Sequence, residues 1–145
     1  MRLKWIIVAC CIALTLLAVS CKTGSGSKMI SEQQVGRDEF GNVWVARLFE
    51  NDCDKDRHPG DVAMLDIHNN LDRNITLDFD GPTHHEISIG DKRSGTLKLE
   101  PGSYGVLVNA PGLKYTPANF TYTVEGHCVY EMTWERVTSN TQFRE

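Results

Sequence analysis

Four aspartates, Asp52, Asp54, Asp56 and Asp61, fall within ten positions. Alternate carboxylates in a loop can supply oxygen ligands to calcium. A helix-loop-helix calcium loop counted from Asp52 needs glycine at its sixth position and glutamate at its twelfth, and those positions hold Arg57 and Ala63. Lys55 and Arg57 sit among the acids. The segment therefore reads as a solvated, internally compensated loop, with calcium ligation by the four aspartates as its metal alternative. His58, His68, His84, His85 and His127 include an adjacent pair. Neighbours on a strand point to opposite faces, so His84 and His85 cannot share one ion without a turn. Zinc-type spacings with cysteine are absent, and the histidines read as surface residues.

Hydrolytic machinery is equally hard to assemble. The sequence has no Gly-x-Ser-x-Gly elbow, no His-Glu-x-x-His pair and no phosphate-binding glycine loop. Asp78, Asp80 and Glu86 alternate with apolar residues and read as the wet face of a sheet. No catalytic residue and no cofactor is implied, and an enzyme is not expected. Tyr104, Phe120, Tyr122, Tyr130 and Trp134 fall in phase with apolar neighbours, so they read as core. Tyr115 lies in a Gly112–Asn119 loop with Pro117 and is the candidate ligand-contacting aromatic.

The elements that hold these residues begin with a leader. Arg2 and Lys4 precede an apolar run from Trp5 to Val19 broken only by Thr15, the pattern of an export signal and too short for a comfortable membrane span. Leu17, Ala18, Val19, Ser20 and Cys21 follow, and they resemble the lipobox of bacterial lipoproteins, with Ala18 where that family usually has leucine. The resemblance implies cleavage before Cys21, a diacylglycerol thioether on that cysteine and anchoring in the cell envelope. Lys22, rather than aspartate, then implies the outer membrane. An ordinary secretory signal or an uncleaved anchor are the alternatives. Lys22 to Lys28 is glycine- and serine-rich and reads as a flexible tether.

Cleavage leaves 145 − 20 = 125 residues, enough for one domain. It also removes two of the 15 basic residues and none of the 19 acidic ones, for a balance of 13 − 19 = −6. That sign argues against nucleic acid or anionic lipid as the main partner. Cys10 and Cys11 leave with the leader and Cys21 would carry lipid, so Cys53 and Cys128 remain to pair as a disulfide in an oxidising compartment.

After residue 42 the chain reads as short alternating segments between turn signals. These are Val43–Phe49, Val62–His68, Ile75–Phe79, His85–Ile89, Thr96–Glu100, Tyr104–Val108, Phe120–Val124 and Cys128–Trp134, with Glu50–Asp61 as a loop. The expectation is an all-β fold, a single antiparallel β-sandwich of about seven to eight strands over 43–137. Before it come the signal peptide (1–20) and the lipidated cysteine, tether and irregular lead-in (21–42), and after it a tail (138–145). Leu97, Leu99, Pro101, Gly102, Tyr104, Val106, Val108, Ala110, Pro111 and Gly112 resemble a hairpin of prealbumin-like and PEGA-type sandwich modules of bacterial envelope proteins. The expected role is a membrane-anchored, non-enzymatic binding or scaffolding module whose partner is an envelope protein or a glycan. The alternatives are a carbohydrate- or small-ligand-binding module and, more remotely, a hydrolase accessory domain.

Overall fold

Side chains of an extended backbone leave alternately to opposite faces. In Ile75–Asp80, Ile75, Leu77 and Phe79 are accordingly buried while Thr76 and Asp78 between them are not. The same alternation runs through Ala63–Asn69, Phe120–Val124 and Cys128–Trp134. The computed structural model describes residues 26–113 and 120–137. Its strands are β1 (Lys28–Arg37), β2 (Val43–Cys53), β3 (Ala63–Asn69), β4 (Ile75–Asp80), β5 (His84–Ile89), β6 (Ser94–Leu99), β7 (Gly102–Asn109), β8 (Phe120–Val124) and β9 (Cys128–Val137). They form a five-stranded sheet, β1-β2-β9-β3-β6, and a four-stranded sheet, β5-β4-β7-β8.

The dry faces of both sheets contribute to one apolar cluster, in which Trp44, Leu65 and Trp134 of the larger sheet join Phe79, Tyr104 and Tyr122 of the smaller. Phe120 bridges them, its ring 5.9 Å from Trp134 and 5.5 Å from Tyr122. The architecture is all-β, two-layered and sandwich-like.

The structure corrects the sequence reading in four places. Among the described residues nine strands form rather than seven to eight, and the added one is β1, where an irregular lead-in was expected. Bulges between Met29 and Ser31 and between Gln34 and Gly36 break its alternation, and Val35 is its one buried side chain, so period two is lost. The larger sheet therefore already includes residues ahead of 43, from Lys28 onward. Second, β2 runs to Cys53 instead of stopping at Phe49, because its ladder with β9 continues through a bulge after Glu50. Asp52 thus lies on a strand. Third, the larger sheet is mixed, since β3 runs parallel to β9 and antiparallel to β6.

The fourth correction concerns the expected hairpin. β6 pairs with β3, whereas β7 pairs with β4 and β8, so Pro101-Gly102 carries the chain from one sheet to the other. Gly102 adopts φ +143°, and a Cβ there would lie 2.5 Å from the Pro82 ring. The glycine thus serves a crossing between layers rather than a tight hairpin turn.

The topology sorts the connections into two ends. The entry end, where β1 begins, carries the segments 54–62, 81–83, 100–101 and 125–127; the opposite end carries 38–42, 70–74 and 90–93. One buried amide organises the opposite end. Asn69 directs its Nδ2 hydrogens to the carbonyls of Arg73 (2.8 Å), Gly90 (2.9 Å) and Ile89 (3.2 Å), and its Oδ1 accepts the Leu71 N–H (3.0 Å).

Candidate functional site

Polar side chains gather in three places, beginning with the entry end. Cys53 and Cys128 face each other across β2 and β9 with Cα atoms 4.1 Å apart and form the disulfide. Beside it, Asp52 accepts from Arg57 Nη2 at 2.9 Å and lies 2.9 Å from His58 Nε2. Asp54 accepts the Asp56 N–H (2.9 Å), the Arg57 N–H (3.4 Å) and Arg57 Nε (3.0 Å). The Asp56 N–H, then Arg57, holds the Asp54 carboxyl below the usual carboxylate range.

Of the four aspartates singled out in the sequence, Asp52 and Asp54 therefore meet at Arg57, while Asp61 packs against Gly126 on the β8–β9 turn. Among the described residues, the group of three ligand atoms that does converge is Glu50 with Cys53 and Cys128, and both sulphurs are already joined to each other. His127 Nδ1 lies 2.9 Å from the His58 carbonyl, so this histidine ties the turn to the acidic loop.

The opposite end holds a second network. The Asp38 side chain is buried, which by itself raises its pKa; hydrogen bonds from the Asn42 side chain and from the backbone N–H groups of Asn42 and Phe40 outweigh that and hold it low. Arg136 bridges Asp38 (3.3 Å) and Asp72 (2.7 Å), and its hydrogen bond lowers the Asp72 pKa. Arg73 lies 5.0 Å over the Trp44 ring and donates to the Pro111 carbonyl at 3.0 Å. Phe40, 75% exposed, stands at the tip of the β1–β2 turn. Tyr115 lies outside the described residues.

The third place is the outer face of the smaller sheet. Asp78 sits in register between Glu86 on β5 and Leu107 on β7, and His84 Nδ1 lies 3.3 Å from its Oδ1. Two shallow hollows of about 360 and 550 Å³ flank Leu107, lined by Thr76, Glu86 and Asn109 on one side and by Asp80, His84 and Thr121 on the other. Asp78, Asp80 and Glu86 all lie on this solvent-facing side, the wet face expected from their alternation. His84 and His85 leave β5 on opposite faces, with His85 Nε2 2.8 Å from Thr83 Oγ1. His68, on the outer face of the larger sheet, lies 2.7 Å through Nδ1 from Ser94 Oγ.

Comparison with protein families, with curated proteins and with solved structures finds no match to this chain. Two structurally central polar residues escaped the sequence reading. Asp38 had a local signal, an acid opening a turn that contains Gly41. Asn69 lies just past the expected Val62–His68 segment, and its burial depends on strands distant in sequence.

Proposed function

We propose that this chain is a lipid-anchored protein of the bacterial envelope, held at the outer membrane by an acylated Cys21, whose nine strands form a β-sandwich that binds or scaffolds and performs no reaction. One observation carries the reading: the lipobox-like Leu17–Cys21 ends six residues before β1 begins at Lys28. Two or three acyl chains, at about 0.8 kcal/mol per buried methylene, hold a protein on a bilayer almost permanently. The disulfide suits the oxidising side of the membrane. The body then stands close to the lipid, and the end bearing Phe40, Asp72 and Arg73 is left for an envelope protein or a glycan.

Radiolabelled palmitate is expected to enter the wild-type protein and to be lost in Cys21→Ala. Equal incorporation in both would overturn the anchor at this residue.

A further inference from the structure

A carboxylate oxygen of Glu50 and the sulphurs of Cys53 and Cys128 all lie within 4.8 Å of one another. Register brings them together. Cys53 faces Cys128 on one rung and Glu50 faces Tyr130 on another, and both β9 residues point into the core, so Glu50 and Cys53 leave β2 on that same inner side. Three positions apart in a regular strand, they would point to opposite faces; the bulge at Asn51 absorbs one residue and restores the phase. Their burial is graded, with Cys53 exposed, Glu50 half-buried and Cys128 buried. Arg57, the cation of the adjoining loop, is paired to Asp52 and Asp54. The Tyr130 hydroxyl, which accepts the Glu125 N–H at 2.9 Å, lies in the field of both Glu50 and Glu125.

We propose that Glu50, Cys53 and Cys128 form a zinc site once a dithiol reductant opens the disulfide, so that β2 and β9 stay clasped in either redox state. The site is independent of the lipid anchor. One thiolate of the dithiol attacks the exposed Cys53 Sγ, the S–S bond breaks, and its electron pair leaves on Cys128 Sγ. The second sulphur of the dithiol then attacks the mixed disulfide, releases Cys53 and departs as the cyclic disulfide, its two protons passing to the two cysteines. Zinc(II) displaces those protons and bonds to both sulphurs and to the Glu50 carboxylate. Tetrahedral bonds of about 2.3 Å to sulphur and about 2.0 Å to oxygen place the sulphurs about 3.8 Å apart and the oxygen about 3.5 Å from each. A rung with Cα atoms 4.1 Å apart, on a ladder that continues to Val43 and Val137, reaches that spacing by side-chain rotation. The fourth position faces water on the Cys53 side. Two thiolates select zinc over calcium or magnesium.

The test uses the full chain in detergent, reduced with dithiothreitol that is then removed without air, and titrated with cobalt(II) as a coloured stand-in for zinc. Circular dichroism on the same samples reports whether the strands persist. Reduced wild type is expected to show a thiolate-to-cobalt absorption band that saturates at one equivalent and is bleached by zinc, and the oxidised protein to show none. The Cys53→Ser, Cys128→Ser variant keeps Cys10, Cys11 and Cys21, so its silence assigns the band to the β2–β9 pair. Glu50→Gln leaves both thiols in place and should weaken binding by at least about tenfold, the loss that even an outer partner of a metal ligand causes. Zinc should also raise the melting temperature of the reduced wild type and leave that of the oxidised protein unchanged. Absence of the band in reduced wild type, an equal band in the double serine variant, loss of the strands on reduction, or a Glu50→Gln titration that overlays wild type each overturns the three-donor site.

Discussion

Replacing Asn69 should unlock the end of the fold opposite the start of β1. Its side chain serves three carbonyls and one N–H, joining the β3–β4 loop to the β5–β6 turn, and it is buried. The amide has two hydrogens for those three carbonyls, so Asn69→Ala forfeits about three net hydrogen bonds at about 1 kcal/mol each, or ~3 kcal/mol. For a body of this size that corresponds to a melting temperature lower by about 12 °C. Urea unfolding reads it, with an unchanged denaturant slope showing that the loss is one of stability. A loss under about 1 kcal/mol would refute the reasoning, since it would mean that the stranded carbonyls had found other donors.

Asn69→Asp keeps the shape and removes the donors, setting a carboxylate against carbonyl oxygens. Only its protonated form can donate, so its folded pKa lies above the unfolded value of about 3.9. The charge penalty is absent below the unfolded pKa, grows as pH rises through the folded one and is complete above it. Asn69→Asp should therefore be less stable than Asn69→Ala at neutral pH, with the gap narrowing on acidification. A gap that stays constant down to about pH 4 would contradict this assignment.

The Cys53–Cys128 bond closes a sequence separation of 75, for which chain entropy gives roughly 4 kcal/mol. The Cys53→Ser, Cys128→Ser variant should lose most of that in urea unfolding while keeping its strand content by circular dichroism; an unchanged midpoint would show that the bond constrains little. Asp38 has a lowered pKa, so its contribution is complete above the unfolded value and is lost as pH falls through the folded one. Asp38→Ala should thus be destabilised at neutral pH and show a shallower acid limb, and an acid limb parallel to wild type would remove Asp38 from that role.

The segments that were legible in the sequence are those with one dry face. Ile75, Leu77 and Phe79 announce β4 because water on one side and core on the other write period two directly into residue type. β1 hides because its two bulges break that period. The parallel pairing of β3 with β9 and the sheet change at Pro101-Gly102 were not legible either, since nothing in a local window records which distant strand lies alongside. The Cys53–Cys128 pair was reached by eliminating the other three cysteines.

The chain enters the larger sheet at one end through β1 and leaves β9 at the other, with β2 between them and antiparallel to both. Tension applied between Lys28 and Val137 therefore runs along the strands. It loads the rungs on either side of β2 in shear, all at once, instead of peeling them apart singly. The covalent rung at Cys53–Cys128 ties β2 to β9 at the end of the sheet where β1 begins. A body wired in this way meets a pull along the chain with two whole ladders at once rather than one rung at a time.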